Sequence, residues 1–275
     1  MRGKSKKRTA RVASTEPTSK LTGVVLSLIS VVAVAALVFL WMYSDKREPI
    51  DKASLCPPSG PSGAIVYIVD ATDGLTAFQR TAISAEFKRL TRDAPSGTMI
   101  SFGIVSPDQS VLNARRFGLC KPPEGAEADA IFENSNLFKR RFENEFMKPL
   151  TVAMSEVLAT GEADSSPIME TIQASIAGIY TRLPKGGSKR LVIASDMLQH
   201  SDAFSFYRGE TWESFRRSSA FGRLGRNLSG VEVVLLQLPN PKSAARQGQA
   251  MIDFWWSYFE AQGAASVVRN TLGDL

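Results

Sequence analysis

A run of 24 uncharged residues, Leu21 to Ser44, constrains this chain more than any other feature of its sequence. As a helix the run would be roughly 36 Å long, enough to cross a hydrocarbon core of about 30 Å. Trp41 and Tyr43 lie at its far end, where aromatic side chains favour the membrane–water interface. A cleaved signal peptide is the alternative, but the run is too long and no small-x-small cleavage motif follows it. The run therefore predicts a single transmembrane helix at 21–44.

Residues 1–20 account for the net charge of the chain. They contain seven of the 33 basic residues and one of the 27 acidic residues, and the formal net charge is +6. The remainder is neutral overall, so we expect no nucleic-acid partner. Basic residues beside a transmembrane helix remain in the cytoplasm. The sequence thus predicts a protein of the cell (inner) membrane with a cytoplasmic tail at 1–20 and a periplasmic, or equivalent extracytoplasmic, part after Ser44.

The two cysteines, Cys56 and Cys120, both lie in Pro- and Gly-rich segments of the part expected outside the cytoplasm. In an oxidising compartment an even pair of cysteines in loops favours a disulfide. Two free thiols are the alternative, because spacing alone does not establish a pairing.

Strand-like and helix-like segments alternate after a polar linker at 45–63. The pattern predicts strands at Ala64–Val69, Thr98–Val105, Ser110–Leu119 (an edge strand), Arg190–Ser195 and Val231–Leu238. It predicts helices at Thr76–Arg92, Pro167–Arg182 and Trp212–Leu228, and a long helix that ends at Gly263. Such alternation is typical of an α/β fold, with a doubly wound, mainly parallel sheet flanked by helices. We expect this domain to cover 64–275, with a helical insertion at 125–160.

Oxygen-bearing side chains follow two of the predicted strands. Asp70, Thr72 and Asp73 come after the first strand, and Asp196 follows the strand that ends at Ser195. Ligands of α/β sheets bind beyond the carboxyl ends of the strands, so these side chains should converge. Hard divalent cations such as Mg²⁺ and Mn²⁺ prefer oxygen ligands of this kind. The simpler alternative is that the aspartates cap helices or bond to their own loops.

The order of these residues resembles the metal-ion-dependent adhesion site of the von Willebrand factor A (vWA) family. In that family the first loop reads Asp-x-Ser-x-Ser, the second loop supplies a Thr before a helix, and the third supplies an Asp after an apolar strand. The matching positions are Asp70, Thr72, Ser166 and Asp196, with Ser165 as the alternative to Ser166. The resemblance implies a bound Mg²⁺ or Mn²⁺ that leaves one position open for an acidic side chain of a protein partner.

Two positions depart from the family pattern. Gly74 stands where the family has its second serine, so one direct ligand is missing, although Asp73 lies beside the gap. Met197 follows Asp196, where the family often has glycine.

Together with the predicted transmembrane helix, the resemblance implies a membrane-anchored domain that mediates protein–protein interaction. No set of residues supports turnover, so we do not expect an enzyme. Two alternatives stay open: a Mg²⁺-dependent α/β hydrolase acting on phosphates or esters, and a scaffold that binds no metal. His200 is the only histidine, which excludes His-rich zinc sites, and we expect it in a surface loop. The sequence also lacks the G-x-S-x-G nucleophile elbow.

Overall fold

The apolar run near the N-terminus forms helix α1, Thr18–Ser44. Within it, Thr22–Trp41 is long and apolar enough to cross a membrane, and none of its apolar window is buried. The computed structural model describes residues 18–44, 50–108, 118–123, 135–225 and 227–273. It divides the chain into two compact units, Met1–Glu48 and Pro49–Leu275, and the second unit contains the sheet and the other helices.

A six-stranded sheet lies at the centre of the second unit, in the order β3-β2-β1-β4-β5-β6. The strands are β1 Gly63–Val69, β2 Thr98–Ile104, β3 Gly118–Cys120, β4 Ser188–Ser195, β5 Val231–Gln237 and β6 Ser266–Thr271. Neighbouring strands are parallel, except that β3 is antiparallel to β2. In chain order, β2 and β3 are added on one side of β1, and β4, β5 and β6 are then added on its other side. This confirms the predicted doubly wound, mainly parallel sheet.

Helices cover both faces of the sheet. They are α2 Ala77–Asp93, α3 Ser135–Arg141, a π-helical segment Phe142–Met147, α4 Lys148–Leu158, α5 Ile168–Ile176, α6 Trp212–Arg217, α7 Ser219–Leu224 and α8 Gln249–Ala261. Alternate side chains of β1 enter different cores: Tyr67 packs with α2 and the α3–α4 segment, and Ile68 packs with α5 to α8. Burial on both faces explains why β1 is a continuous apolar run rather than an alternating pattern.

Two predicted helices are shorter than their patterns suggested. Helix α5 ends at Ile176 rather than Arg182, because Ala177 adopts an extended conformation and Gly178 follows with a positive φ of 80°. The helix predicted at Trp212–Leu228 is instead α6 and α7, separated by Ser218 with extended backbone angles. In both places the helix ends at a residue with extended backbone angles, although apolar residues continue at helical spacing beyond it.

The predicted edge strand at Ser110–Leu119 lies mostly outside the described residues. Its last two residues, Gly118 and Leu119, belong to β3. Strand β6, Ser266–Thr271, was not predicted. It forms the opposite edge of the sheet, and most of its side chains are exposed. An exposed edge strand carries no buried apolar run, which is why its pattern is weak. Of the predicted insertion at 125–160, the part from Ser135 is helical, and Phe142 and Phe146 are buried in the core.

Part of the segment predicted as a linker is bonded to the sheet. Leu55 is buried in the core, and Ser54 O accepts a hydrogen bond from Cys120 N at 2.8 Å. Cys56 and Cys120 form a disulfide, as predicted. The chain is therefore fixed to β3 before it reaches β1.

Candidate functional site

The first loop folds around the carboxylate of Asp70, which follows the last residue of β1. Asp70 N donates to Ala194 O of the neighbouring strand at 2.8 Å, which fixes the residue at the carboxyl edge of the sheet. Its side chain is 5% exposed. Asp70 Oδ1 accepts hydrogen bonds from Thr72 N at 3.1 Å and Thr72 Oγ1 at 2.6 Å. The first two predicted site residues are thus in direct contact.

The other oxygen of Asp70 accepts hydrogen bonds from a hydroxyl of the second loop and from the hydroxyl at the end of β4. Ser166 Oγ and Ser195 Oγ each donate to Asp70 Oδ2 at 2.8 Å. Ser166 is therefore the better match of the two serines considered, and Ser165 lies half-buried beside it. Hydroxyls from the first loop, from the second loop and from the end of β4 thus converge on one buried carboxylate. The strand-end argument had predicted only the first-loop residues and Asp196 at this edge.

Asp196, the fourth predicted residue, is held mainly by the loop after β5. Its Oδ2 accepts a hydrogen bond from Asn240 Nδ2 at 2.7 Å, and its main-chain oxygen accepts one from Gln247 Nε2 at 2.9 Å. Its Oδ1 accepts a bond from Leu198 N at 2.9 Å. Asp196 and Asp70 line the same cavity, and their charges interact.

Burial changes the acidity of Asp196. Desolvation, and next the nearby charge of Asp70, raise its pKa to about 7, although the hydrogen bonds from Asn240 and Leu198 oppose the shift. An ordinary aspartate has a pKa near 3.9. Asp196 therefore exchanges a proton near neutral pH, and a cation bound beside it would favour its charged form.

Met197 occupies a backbone conformation that favours glycine. Its φ is +65°, in the left-handed region, which explains why the family often has glycine here. The residue is held in place by its neighbours: Met197 N donates to Ser195 Oγ and Trp255 Nε1 donates to Met197 O, both at 2.8 Å. The departure from the family pattern therefore leaves the geometry of the third loop intact.

The second and third loops are bonded to each other. Ser166 and His200 exchange two main-chain hydrogen bonds, at 2.8 and 2.9 Å. His200 is half-buried rather than in the surface position we expected, and its Nδ1 lies 2.8 Å from the Oγ of the buried Ser205. Gln199 bonds to Glu170 of α5 at 3.0 Å. These contacts fix Ser166 relative to Asp70.

Two cavities meet at this edge. One, of about 450 Å³, lies between the first loop and the loop after β5 and is lined by Asp70, Asp196, Gly74 and Glu162 among others. The second, of about 300 Å³, is lined by Thr72, Ser166 and neighbouring polar residues. Asp73 lines both. The site is thus accessible to a ligand from two sides.

The side-chain oxygens of the site are the type of ligand that a cation such as Mg²⁺ prefers, although few of them belong to carboxylates. Within the described ranges, no three His, Cys, Asp or Glu side chains are grouped to hold a metal ion. The four predicted residues instead offer two carboxylates and two hydroxyls. Mg²⁺ commonly takes one or two carboxylates and completes its shell with water.

Sequence reasoning missed Ser195, Asn240 and Gln247. The sequence could have indicated Ser195 as a site residue, because it is the last residue of a buried strand and directly precedes Asp196. Asn240 lies three residues beyond β5, so the strand-end rule applied to that strand too. Gln247 is separated from β5 by a 3₁₀-helix, Pro241–Arg246, and no sequence pattern indicated its contact.

Known proteins resemble this chain in structure but not in sequence. No protein-family model and no curated protein sequence matches it. Similar solved structures include the SpRpn10 VWA domain, with 11% identity, a TM-score of 0.40, and 78% of this chain and 90% of that chain covered. The likeness is one of fold.

Two other structures show a similar degree of likeness. An aerotolerance-related membrane protein from Bacteroides fragilis has 11% identity and a TM-score of 0.35, over 76% of this chain and 91% of that chain. Proximal thread matrix protein 1 from the mussel byssus, with a zinc-occupied MIDAS motif, has 10% identity and a TM-score of 0.38. The match covers 78% of this chain and 42% of that chain. Similarity at this level assigns neither a site nor an activity to the chain.

Proposed function

We propose that this chain is a single-pass protein of the cell (inner) membrane whose extracytoplasmic domain binds a protein partner through a divalent cation. Thr72 and Ser166 would ligate Mg²⁺ or Mn²⁺ directly, and Asp70 and Asp196 would do so through water. The cation would supply an open coordination position for an acidic side chain of the partner. The observation that carries this proposal is the convergence of hydroxyls from separate loops on the buried carboxylate of Asp70.

The direction of these hydrogen bonds supports cation binding. Thr72 Oγ1 and Ser166 Oγ both donate to Asp70. A hydroxyl has one hydrogen to donate and two lone pairs, so a hydroxyl that donates to Asp70 keeps its lone pairs for a cation. Asp70 therefore orients both oxygens as ligands before a cation arrives.

Three observations support the proposed location. Residues 1–20 are basic, Thr22–Trp41 is apolar enough to cross a membrane, and Cys56 and Cys120 form a disulfide. Basic residues remain on the cytoplasmic side, and disulfides persist in oxidising compartments such as the periplasm. All three agree with a cytoplasmic N-terminus and a periplasmic domain.

We also propose that the site binds without turnover. Both oxygens of Asp70 are occupied as acceptors, and Ser205, the hydroxyl within reach of the His200 ring, is fully buried and closed to a substrate. Full-length protein with Mg²⁺ is expected to release no phosphate from p-nitrophenyl phosphate. Mg²⁺-dependent release that EDTA stops would contradict this part of the proposal and favour the hydrolase.

Removal of both hydroxyls should abolish cation binding. For full-length protein in detergent, Mg²⁺ at a hundred times its Kd would stabilise the folded state by about 2.7 kcal/mol, or raise Tm by about 5–10 °C. Thr72→Val with Ser166→Ala keeps the side-chain sizes close but removes both ligand oxygens, and we expect Tm to be insensitive to Mg²⁺. Differential scanning fluorimetry with EDTA as the baseline measures this. An unchanged Mg²⁺ response in the variant would contradict the assigned ligands.

The Mg²⁺ response should depend on pH through Asp196. Its folded-state pKa of about 7 lies above the unfolded value, so protonation stabilises the fold and this contribution is lost as pH rises through 7. Bound Mg²⁺ favours the charged form instead. We therefore expect the Mg²⁺-induced rise in Tm to be larger at pH 8 than at pH 6, and Asp196→Asn to remove the difference. Equal responses at both pH values in the wild-type protein would contradict this assignment.

Partner binding should require both the cation and the hydroxyl ligands. The anchored protein is used as bait in a pull-down with Mg²⁺ and with EDTA, beside the Thr72→Val/Ser166→Ala variant. A protein captured only by the wild-type bait in Mg²⁺ is the expected result. Equal capture under all conditions would favour the metal-free scaffold.

A further inference from the structure

A carboxylate from the second loop fills the space beside Gly74. A Cβ built on Gly74 would stand 2.7 Å from Glu162 Oε1 and 3.4 Å from its Cδ. The Glu162 carboxylate thus takes the space into which a side chain at position 74 would project. Gly74 is the position at which the family motif carries its second serine. A charged oxygen therefore lies beside the position from which the serine of the motif would project.

Main-chain hydrogen bonds bring the two loops together at this point. Ala163, which follows Glu162, donates from its N–H to Thr72 O at 2.9 Å. Gly74 N donates to Ala71 O at 3.0 Å and closes the turn of the first loop. Glu162 lines the same 450 Å³ cavity as the two buried aspartates. The backbone therefore sets where Glu162 leaves its loop, next to the incomplete part of the motif.

We propose, on the basis of the metal site proposed above, that Glu162 is a further ligand of the divalent cation and takes the role of the missing serine. A carboxylate suits Mg²⁺ or Mn²⁺ at least as well as a hydroxyl, because hard cations prefer charged oxygens. Asp70 and Asp196 are buried, whereas Glu162 is exposed. Glu162 thus fills the place of the missing hydroxyl, and the open coordination position of the proposed site stays available to an acidic side chain of the partner.

The test is a calorimetric titration of full-length protein in detergent with MgCl₂ or MnCl₂. Loss of a group that supports a metal site typically weakens binding about 10- to 100-fold, so Glu162→Ala should raise Kd by at least about tenfold. Glu260→Ala is the matched control, because it truncates an exposed glutamate of α8 that lines neither cavity. Screening limits such a long-range charge effect to about twofold. Both variants should keep the wild-type Tm in EDTA.

A second variant tests the substitution of one ligand for another. With Glu162→Ala the space beside Gly74 is open, so Gly74→Ser in that background restores the hydroxyl of the family motif. Recovery of Mg²⁺ affinity relative to Glu162→Ala supports the proposal, and Tm in EDTA reports the cost of a serine at a φ of +74°. Equal Kd values for Glu162→Ala and Glu260→Ala overturn the assignment of Glu162 but leave the metal site standing. Absence of binding heat in the wild-type protein for both cations overturns the metal site, and the assignment with it.

Discussion

Asp70→Ala is expected to destabilise the domain strongly even without metal. The carboxylate accepts four hydrogen bonds, from Thr72 N, Thr72 Oγ1, Ser166 Oγ and Ser195 Oγ, and is almost fully buried. Alanine would leave these donors without their acceptor at the junction of three loops. Unpaired buried donors and a broken buried network cost about 3 kcal/mol together, which corresponds to a fall in Tm of about 6–12 °C. Thermal unfolding in EDTA, followed by tryptophan fluorescence, measures the change.

Asp73→Ala is the matched control for this prediction. It removes the same side chain three residues along the same loop, but Asp73 is exposed. Exposed substitutions away from special features usually change stability by less than about 0.5 kcal/mol. If Asp70→Ala lowers Tm no more than Asp73→Ala, the network around Asp70 contributes little to stability. The predicted preorganisation of the hydroxyls would then lose its main physical support.

Loss of the Cys56–Cys120 disulfide is expected to have an effect of similar size. The two cysteines are 64 positions apart in sequence. In the chain-entropy model, a bridge over a loop of this length stabilises the folded state by about 4 kcal/mol, because it restricts the unfolded chain. The double variant Cys56→Ser/Cys120→Ser should therefore lower Tm by about 8–16 °C. Because the chain has no other cysteine, the effect is free of thiol rearrangement.

Reduction supplies an independent check on the same prediction. Dithiothreitol should lower the Tm of the wild-type protein to that of the double serine variant and leave the variant itself unchanged. A wild-type Tm that is insensitive to dithiothreitol, with both thiols titrated as reduced, would show that the bridge contributes nothing to stability.

The central strands could be predicted from sequence because each is buried on both faces. Ala64–Val69 and Leu191–Ala194 are continuous apolar runs, and polar residues follow directly where the chain leaves the sheet. The same property made Asp70 and Asp196 predictable, since parallel strands end at one edge. The edges of the sheet were less predictable. The exposed strand Ser266–Thr271 has no such run and was missed.

The hydrogen bonds within the site were less predictable from the sequence than the residues that form it. The resemblance indicated Thr72 and Ser166, but only the structure shows that both bond to Asp70. Asn240 lies 44 residues from Asp196, and although both residues follow strands of the sheet, no sequence pattern pairs their side chains. Contacts between loops depend on how the strands are ordered and on side-chain geometry, neither of which follows from local periodicity.

The attachment of the N-terminal segment to β3 has a mechanical consequence. A pulling force applied before Cys56 passes through the disulfide to Cys120, so the polypeptide between the two cysteines carries no tension. Strands β1 and β2 lie within that covalent ring. Stretching the chain from the membrane side therefore cannot unravel them one residue at a time. The strand that delivers Asp70 is shielded from load for as long as the bridge stays oxidised.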